Sequence, residues 1–80
     1  MIKSELLRAA EQVYERRLKS ELERTHRDFF VAIEPISEQH FLGRTLSEAS
    51  AEALAAFPER RAVVLRVGHQ ATLHLGAGIA

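Results

Sequence analysis

The sequence contains no cysteine and no tryptophan, and its 80 residues include only two prolines and four glycines. Without cysteine the chain can form no disulfide, no thiolate nucleophile and no Cys-ligated zinc site. No apolar run reaches the roughly 20 residues that a membrane-spanning helix needs. The charged start, Met1 to Glu5, lacks the apolar core of a signal peptide. These absences favour a cytoplasmic protein and argue against a membrane partner.

The chain also lacks an excess of charge of either sign. Eleven basic and eleven acidic residues give a formal net charge of zero, and both signs are spread over residues 1–28 and 29–80. Binding to a phosphate backbone requires a basic surface, so the composition argues against a nucleic-acid partner. A domain this small buries only roughly 60% of its unfolded surface. We therefore expect one domain over residues 1–80 that is stabilised by a partner chain.

Residues 4–25 have the apolar spacing of a long amphipathic helix, with Ser4 as its N-cap. The apolar stripe drifts around this helix, because its first and last members lie about 120° or more apart at 100° per residue. A single flat contact surface would not cover such a stripe. We therefore expect the helix to pack partly on its own sheet and partly on a second copy of the chain. The expected interface residues are Leu7, Tyr14, Leu18 and Leu22.

The segment 29–34 is rich in aromatic and β-branched residues and is typical of a strand buried on both faces. Pro35 ends this strand, because proline cannot donate to a ladder. Residues 36–39 are the expected hairpin connection, and an antiparallel return strand follows at 40–43. The connection lacks an Asn-Gly or Asp-Gly pair, so its length is left open.

A capping box predicts the start of a second helix, over residues 46–57. The Thr45 hydroxyl can accept from the Glu48 backbone N–H, and the Glu48 carboxylate can reach back to the Thr45 N–H. Gly43 allows the chain to leave the strand, and Pro58 stops the helix. Its expected core-facing residues are Leu46, Ala49, Ala53, Ala56 and Phe57.

Residues 62–67 form the second strongly apolar strand, and 71–75 a weaker candidate for a fourth, before a short tail at 76–80. The helix between the strands at 40–43 and 62–67 makes those two strands parallel. The most apolar strand, 29–34, should lie between them. The sequence thus predicts an α+β fold: a long N-terminal helix, then a ββαβ(β) core over 29–75, with a mostly antiparallel sheet of three or four strands covered by one helix.

Residues 30–67 resemble a family of small bacterial domains that includes the HicB-type antitoxins. The shared features are a strand like Phe30 to Pro35, a return strand, and a Gly-x-Thr-x-x-Glu-Ala segment opening an Ala-rich helix, here Gly43, Thr45, Glu48 and Ala49. The resemblance implies a reduced ribonuclease-H-like sheet without catalytic carboxylates that binds a small toxin protein. Two features depart from the family: the helix at 4–25 has no counterpart, and too few residues follow 75 for a DNA-binding segment.

Four histidines are the first candidates for chemistry: His26, His40, His69 and His74. None has the i,i+4 partner that a helical metal site uses, and the predicted strand order separates His40 from His74. We therefore predict surface or hydrogen-bonded histidines and no metal or cofactor. His69, beside Gly68, is the one candidate for a functional polar residue.

Carboxylates and serines offer little further chemistry. Glu34 ends the first predicted strand and Glu38 lies in the hairpin connection that follows. Nothing in the sequence aims them at a common cleft, so we expect solvated loop acids. No serine lies in a G-x-S-x-G elbow. The sequence therefore favours a non-enzymatic interaction domain that forms a homodimer. The alternatives are an antitoxin-like regulator that neutralises a small toxin encoded nearby, and an enzyme that uses His69.

Overall fold

The computed structural model describes residues 2–69 and 74–75, and for residues 2–4 and 74–75 it describes the backbone alone. In chain order the elements are α1 (Ile2–Val13), a π-turn (Tyr14–Leu18), α2 (Lys19–Thr25), β1 (Phe30–Glu34), β2 (Gln39–Gly43), α3 (Leu46–Ala56), β3 (Val63–Arg66) and β4 (His74–Leu75).

The N-terminal helix, meaning α1, the π-turn and α2 together, runs from Ile2 to Thr25. It begins two residues before the predicted start, so Ser4 lies inside the helix and the N-cap prediction was wrong. In the π-turn, the backbone N–H of Lys19 donates to the carbonyl of Tyr14, five residues earlier. Such a turn holds one residue more than an α-helical turn.

The extra residue realigns the apolar stripe with the sheet. At 100° per residue, Ala10 and Leu22 would lie about 120° apart on a regular helix, and one inserted residue removes about 100° of that angle. Both residues are in fact buried in one cluster, together with Val13 and Tyr14. The π-turn therefore corrects the drift of the apolar stripe within a single chain. A second copy is no longer needed to cover the end of this stripe.

Three antiparallel strands form the centre of the sheet. β1 lies between β2 and β3, with Ala32 opposite Phe41 on one side and opposite Val64 on the other. β2 and β3 are both antiparallel to β1 and are therefore parallel to each other, as predicted. The backbone of His74–Leu75 lies antiparallel to Val63–Val64. The other residues of the predicted fourth strand, 71–73, and the predicted tail, 76–80, lie outside the described residues.

A helix covers each face of the sheet. The sequence predicted one covering helix, α3, and expected the N-terminal helix to pack on the sheet only in part. Val31, Ile33, Val63 and Leu65 point to the N-terminal helix. The alternate positions point to α3, and this smaller cluster consists of Ala32, Ala49, Ala53, Ala62 and Val64. β1 is buried on both faces for this reason, as its continuous apolar sequence predicted.

The start of α3 is held by the predicted cap in a slightly different form. The Glu48 N–H donates to the Thr45 hydroxyl at 3.1 Å, as expected. The Glu48 carboxylate, however, accepts from the N–H of Arg44 at 2.8 Å and not from that of Thr45. Ala56 was expected in the core but is exposed. No helix among the described residues is long and apolar enough to cross a membrane.

Gly43 brings β2 against the first turn of α3. A Cβ atom at this position would lie 2.5 Å from the backbone nitrogen of Ala49 and 2.8 Å from the Glu48 Cβ. Contacts this short with a helix backbone cannot be relieved by rotating a side chain. The helix would have to move away from the sheet, and the alanine cluster beneath it would open.

We therefore expect Gly43→Ala to lower the free energy of unfolding by about 1–3 kcal/mol, the usual range for overpacking. Urea denaturation followed by circular dichroism measures the change. Ser47→Ala is the matched control, because Ser47 is exposed in the first turn of α3 and its loss should change the stability by less than about 0.5 kcal/mol. Equal stability of Gly43→Ala and the wild type would contradict this account of the helix contact.

Candidate functional site

The structure separates the four residues predicted for a dimer interface. Tyr14 and Leu22 are 7% and 5% exposed and belong to the chain's own core. Leu7 and Leu18 are half-buried and pack against the same core cluster. Since Tyr14 and Leu22 present almost no surface, any interface on this helix would depend on Leu7 and Leu18. Contact of these residues with another chain stays a prediction.

A cleft of about 650 Å³ lies between the N-terminal helix and the end of β3, where it brings together two of the sequence candidates, Tyr14 and His69. The Tyr14 hydroxyl donates to the Glu23 carboxylate at 2.9 Å. At 3.4 Å it is also the acceptor for the N–H of Gly68. Gly68 has φ 83°, a conformation that glycine adopts without steric cost. Tyr14 therefore ties the π-turn and α2 to the turn after β3.

Burial raises the pKa of Tyr14 to about 12, and the hydrogen bond to Glu23 acts in the same direction, while the Gly68 N–H opposes them. A phenol with this pKa stays protonated at neutral pH. It cannot serve there as a general base or as an oxygen nucleophile, both of which need an accessible deprotonated state. The position of Tyr14 in the cleft thus supports a structural role.

His69 lies at the rim of the same cleft and pairs with Asp28, with 2.6 Å between Nε2 and the carboxylate oxygen. Both side chains are largely exposed. The hydrogen bond from His69 lowers the pKa of Asp28. Asp28 has φ 73°, and its N–H donates to the carbonyl of Val67 at 3.0 Å. The pair therefore joins the two chain segments that flank the paired ends of β1 and β3.

Glu34 is buried, with 1% of its surface exposed, which overturns the prediction of a solvated loop acid. Its carboxylate accepts from the N–H groups of Ile36 and Ser37 at 3.0 and 2.8 Å, and from the Arg60 guanidinium at 3.1 Å. Burial alone would raise the pKa of Glu34, but these hydrogen bonds outweigh it and lower the pKa below its ordinary value. The carboxylate closes the hairpin and joins it to the segment after α3.

Glu38 points away from Glu34, and the two carboxylates share no cleft. Arg17 and Arg16 donate to Glu38 at 2.7 and 3.0 Å. The hydrogen bond from Arg17 is the main reason that the pKa of Glu38 is lowered. The neighbouring His40 has a lowered pKa because of partial burial, which opposes its charged form.

The outer edge of β2 is a second candidate site. Antiparallel strands point successive backbone groups to alternate sides. The Glu34 carbonyl accepts from Glu38 towards β2, and the Phe29 carbonyl accepts from Val67 towards β3. Even-numbered residues of β1 therefore face β2, and their partners are residues 39, 41 and 43. The backbone N–H and C=O groups of His40 and Leu42 consequently point outward.

This edge carries none of the usual features that prevent strand pairing. Proline, a charged side chain or a bulge commonly protects an exposed edge. β2 has none of these, and its register with β1 is regular over five residues. The side chains of Phe41 and Leu42 at its centre are only half-buried. In the described part of the chain, β2 has a strand on one side alone.

The two candidate sites differ in kind: the cleft is lined mostly by polar side chains, whereas the edge of β2 presents backbone groups. Among the described residues there is no group of three or more side chains placed to hold a metal ion. Four side chains with shifted pKa values, those of Tyr14, Asp28, Glu34 and Glu38, are hydrogen-bonded to other side chains or to the backbone. Comparison of the chain with models of protein families, with curated proteins and with solved structures finds no match.

Sequence reasoning missed Glu23, the buried state of Glu34 and the β2 edge. On the regular helix that the sequence predicted, Glu23 would face away from Tyr14, and only the π-turn brings the two side chains together. Glu34 had one available signal: an acid directly before Pro35, at a strand end, can accept from the backbone of the turn that follows. The β2 edge was implied by the predicted strand order, which placed 40–43 outermost.

The ionisation of Tyr14 can be followed directly, because it is the only tyrosine and the chain has no tryptophan. We expect the folded protein to show a phenol pKa of about 12 in an absorbance titration at alkaline pH. Because the folded-state pKa lies above the unfolded one, stability should be full below pH 10 and decline between pH 10 and 12. A midpoint near 10 in protein that circular dichroism shows to be folded would contradict the hydrogen-bonded geometry.

The buried Glu34 predicts a loss of stability in acid. Its stabilisation is fully present above the ordinary carboxyl pKa of 4.5 and is lost as the pH falls through the lowered folded-state pKa. At pH 7, Glu34→Gln should cost about 1–3 kcal/mol of unfolding free energy, and the difference from wild type should shrink below pH 4.5. Urea denaturation at pH 7 and at a pH below 4.5 tests this, with Glu52→Gln, at an exposed position, as the control. A pH-independent difference would refute the proposed role.

Proposed function

We propose that this protein is a non-catalytic protein-interaction domain that works as a homodimer. The observation that carries the proposal is the outer edge of β2. There His40 and Leu42, beside the half-buried Phe41, present backbone groups that have no strand partner within residues 2–69 and 74–75. Strand addition at such an edge is a common mode of protein recognition. The interaction surface thus differs from the helix surface that the sequence favoured.

The state of the polar residues supports a non-catalytic role. Glu34 is occupied by two backbone N–H groups and Arg60. Tyr14 is protonated and bonded to Glu23. His69 and Asp28 pair with each other at the surface, at the junction of two chain segments. Each of these groups has a structural partner that accounts for its position, so none needs a substrate to explain it.

The small core supports a partner chain. The cluster under α3 consists of four alanines and one valine, which bury little apolar area per residue. Leu54 on α3 and Ile36 in the hairpin turn are 44% and 76% exposed. A second copy would remove further apolar surface from water. A domain of this size buries too little apolar surface on its own to be strongly stable.

We expect size-exclusion chromatography with light scattering to give about twice the 9.0 kDa chain mass at micromolar concentration. Serial dilution should shift the peak towards the monomer if the dimer is in exchange. A clean monomer over the whole range would refute the homodimer. Leu18→Ala serves as a comparison, because it alters the surface of the N-terminal helix while leaving β2 unchanged.

The alternative function is an antitoxin-like regulator that binds a small toxin protein. It is favoured by the order β1, β2, α3, β3 with the capped start of α3, which is the part of the HicB-type resemblance that concerns the fold. Stable co-purification with the product of an adjacent gene would support it. Under either function we also propose a cytoplasmic location. We further propose that residues 71–75 form a full fourth strand, which extends the pairing seen at His74–Leu75.

A further inference from the structure

We propose that two copies of the chain join through antiparallel pairing of their β2 strands, with Phe41 on the two-fold axis. This inference rests on the proposed homodimer and names its surface and register. The result is one continuous sheet across both protomers, in which β2 of each copy becomes an inner strand.

The register follows from which backbone groups are free. Only His40 and Leu42 point their N–H and C=O groups away from β1. In an antiparallel pair, a residue that exchanges two hydrogen bonds lies opposite one of the same kind. A two-fold axis through residue 41 places His40 opposite the partner's Leu42 on both sides of the axis. All eight outward groups of the two strands are then paired in four hydrogen bonds.

The side chains are compatible with the same axis. β2 contains no charged residue, so no charge meets its own copy. Phe41, half-buried against Phe57 with 6.2 Å between ring centroids, would lie directly opposite the partner's Phe41. Aromatic pairs of this kind stabilise antiparallel strands. On the other face, His40 lies beside the partner's Leu42, and its lowered pKa favours the uncharged form there.

Charge complementarity favours a second copy over an unrelated strand. The residues just outside β2 are Glu38 and Arg44, three positions before and three after Phe41. The two-fold axis places Glu38, which already accepts from Arg16 and Arg17 of its own chain, opposite the partner's Arg44, and the reverse. A head-to-tail or parallel arrangement of the same strands would not place these opposite charges together. The strand and its two flanking residues are thus complementary to themselves.

A single introduced cysteine tests the register, because the natural chain has none. Residues opposite each other at a non-hydrogen-bonded position have Cα atoms about 4.5 Å apart, which is within the range for a disulfide. We expect mild oxidation of Phe41→Cys to give a covalent dimer on non-reducing gel electrophoresis. Gln39→Cys is the matched control on the same face and strand. Its two copies would lie more than about 10 Å apart and should remain uncrosslinked.

A second variant keeps the inference testable if Phe41→Cys does not fold. His40→Pro removes an outward N–H and leaves the ladder to β1 intact. Because two hydrogen bonds per dimer are lost, we expect the dissociation constant to rise about tenfold or more. Arg44→Glu should also weaken the dimer by placing like charges opposite, whereas Arg61→Glu, at an exposed position far along the chain, should not.

The outcomes separate this inference from the proposed function. A wild-type monomer in light scattering overturns both. A wild-type dimer that is not crosslinked through Phe41→Cys and keeps its affinity in His40→Pro overturns the β2 interface alone. Crosslinking of Gln39→Cys in place of Phe41→Cys would overturn the register.

Discussion

The π-turn at Tyr14–Leu18 is the constraint on which the rest of the structure depends. β1 is buried on both faces and needs a helix on each, and α3 supplies one of them. The N-terminal helix can supply the other only if its apolar residues share a side over its whole length. In a regular helix, Leu22 would turn away from the sheet. One inserted residue brings it back beside Ala10 and Val13, and a single chain then encloses its own central strand.

The same turn determines where the polar residues of the interior lie. By shifting α2 relative to α1, it brings Glu23 to the hydroxyl of Tyr14, at the end of the sheet where β3 leaves. At the opposite end, Glu34 holds the β1–β2 hairpin and Arg60. One buried carboxylate, that of Glu34, and one half-buried carboxylate, that of Glu23, thus accept hydrogen bonds at the two ends of a sheet whose middle is held by small apolar side chains. Such hydrogen bonds favour the native arrangement of a core dominated by alanine and valine. An arrangement that left a buried carboxylate unpaired would cost more free energy than a typical hydrogen bond contributes.

Much of the fold was predictable because its signals are local. The strand at 29–34, the Thr45–Glu48 cap and the parallel relation of β2 and β3 each follow from a short pattern and a topological rule. The π-turn was not predictable in this way, since no residue in Tyr14–Leu18 distinguishes a π-turn from an α-helical turn. Its only trace was the drift of the apolar stripe. That drift was interpreted as a need for a second chain, because the helix was assumed to be regular.

The candidate site was harder to predict because it depends on tertiary contacts. Glu34 and Glu38 both flank the hairpin turn and differ little in local sequence, yet one is buried beneath the turn and the other pairs with Arg16 and Arg17. The difference arises from the alternation of β1: residue 34 continues the even-numbered face towards α3, while Glu38 adopts a positive φ and turns towards the N-terminal helix. Whether each carboxylate is buried depends on which helix covers which face of the sheet. The sequence of the hairpin segment alone does not contain this information.

The composition of β2 bears on why the partner should be a copy of the chain. A solvent-exposed edge tolerates charged residues at little cost, and they protect it from pairing. Here the charges stop at Glu38 and Arg44, on either side of an uncharged strand. On a two-fold axis through the strand, a charge at the centre would oppose its own copy, while charges of opposite sign at equal distances from the centre attract. The sequence satisfies both conditions at once. An edge adapted to another protein would need neither, since its partner could supply any charge pattern.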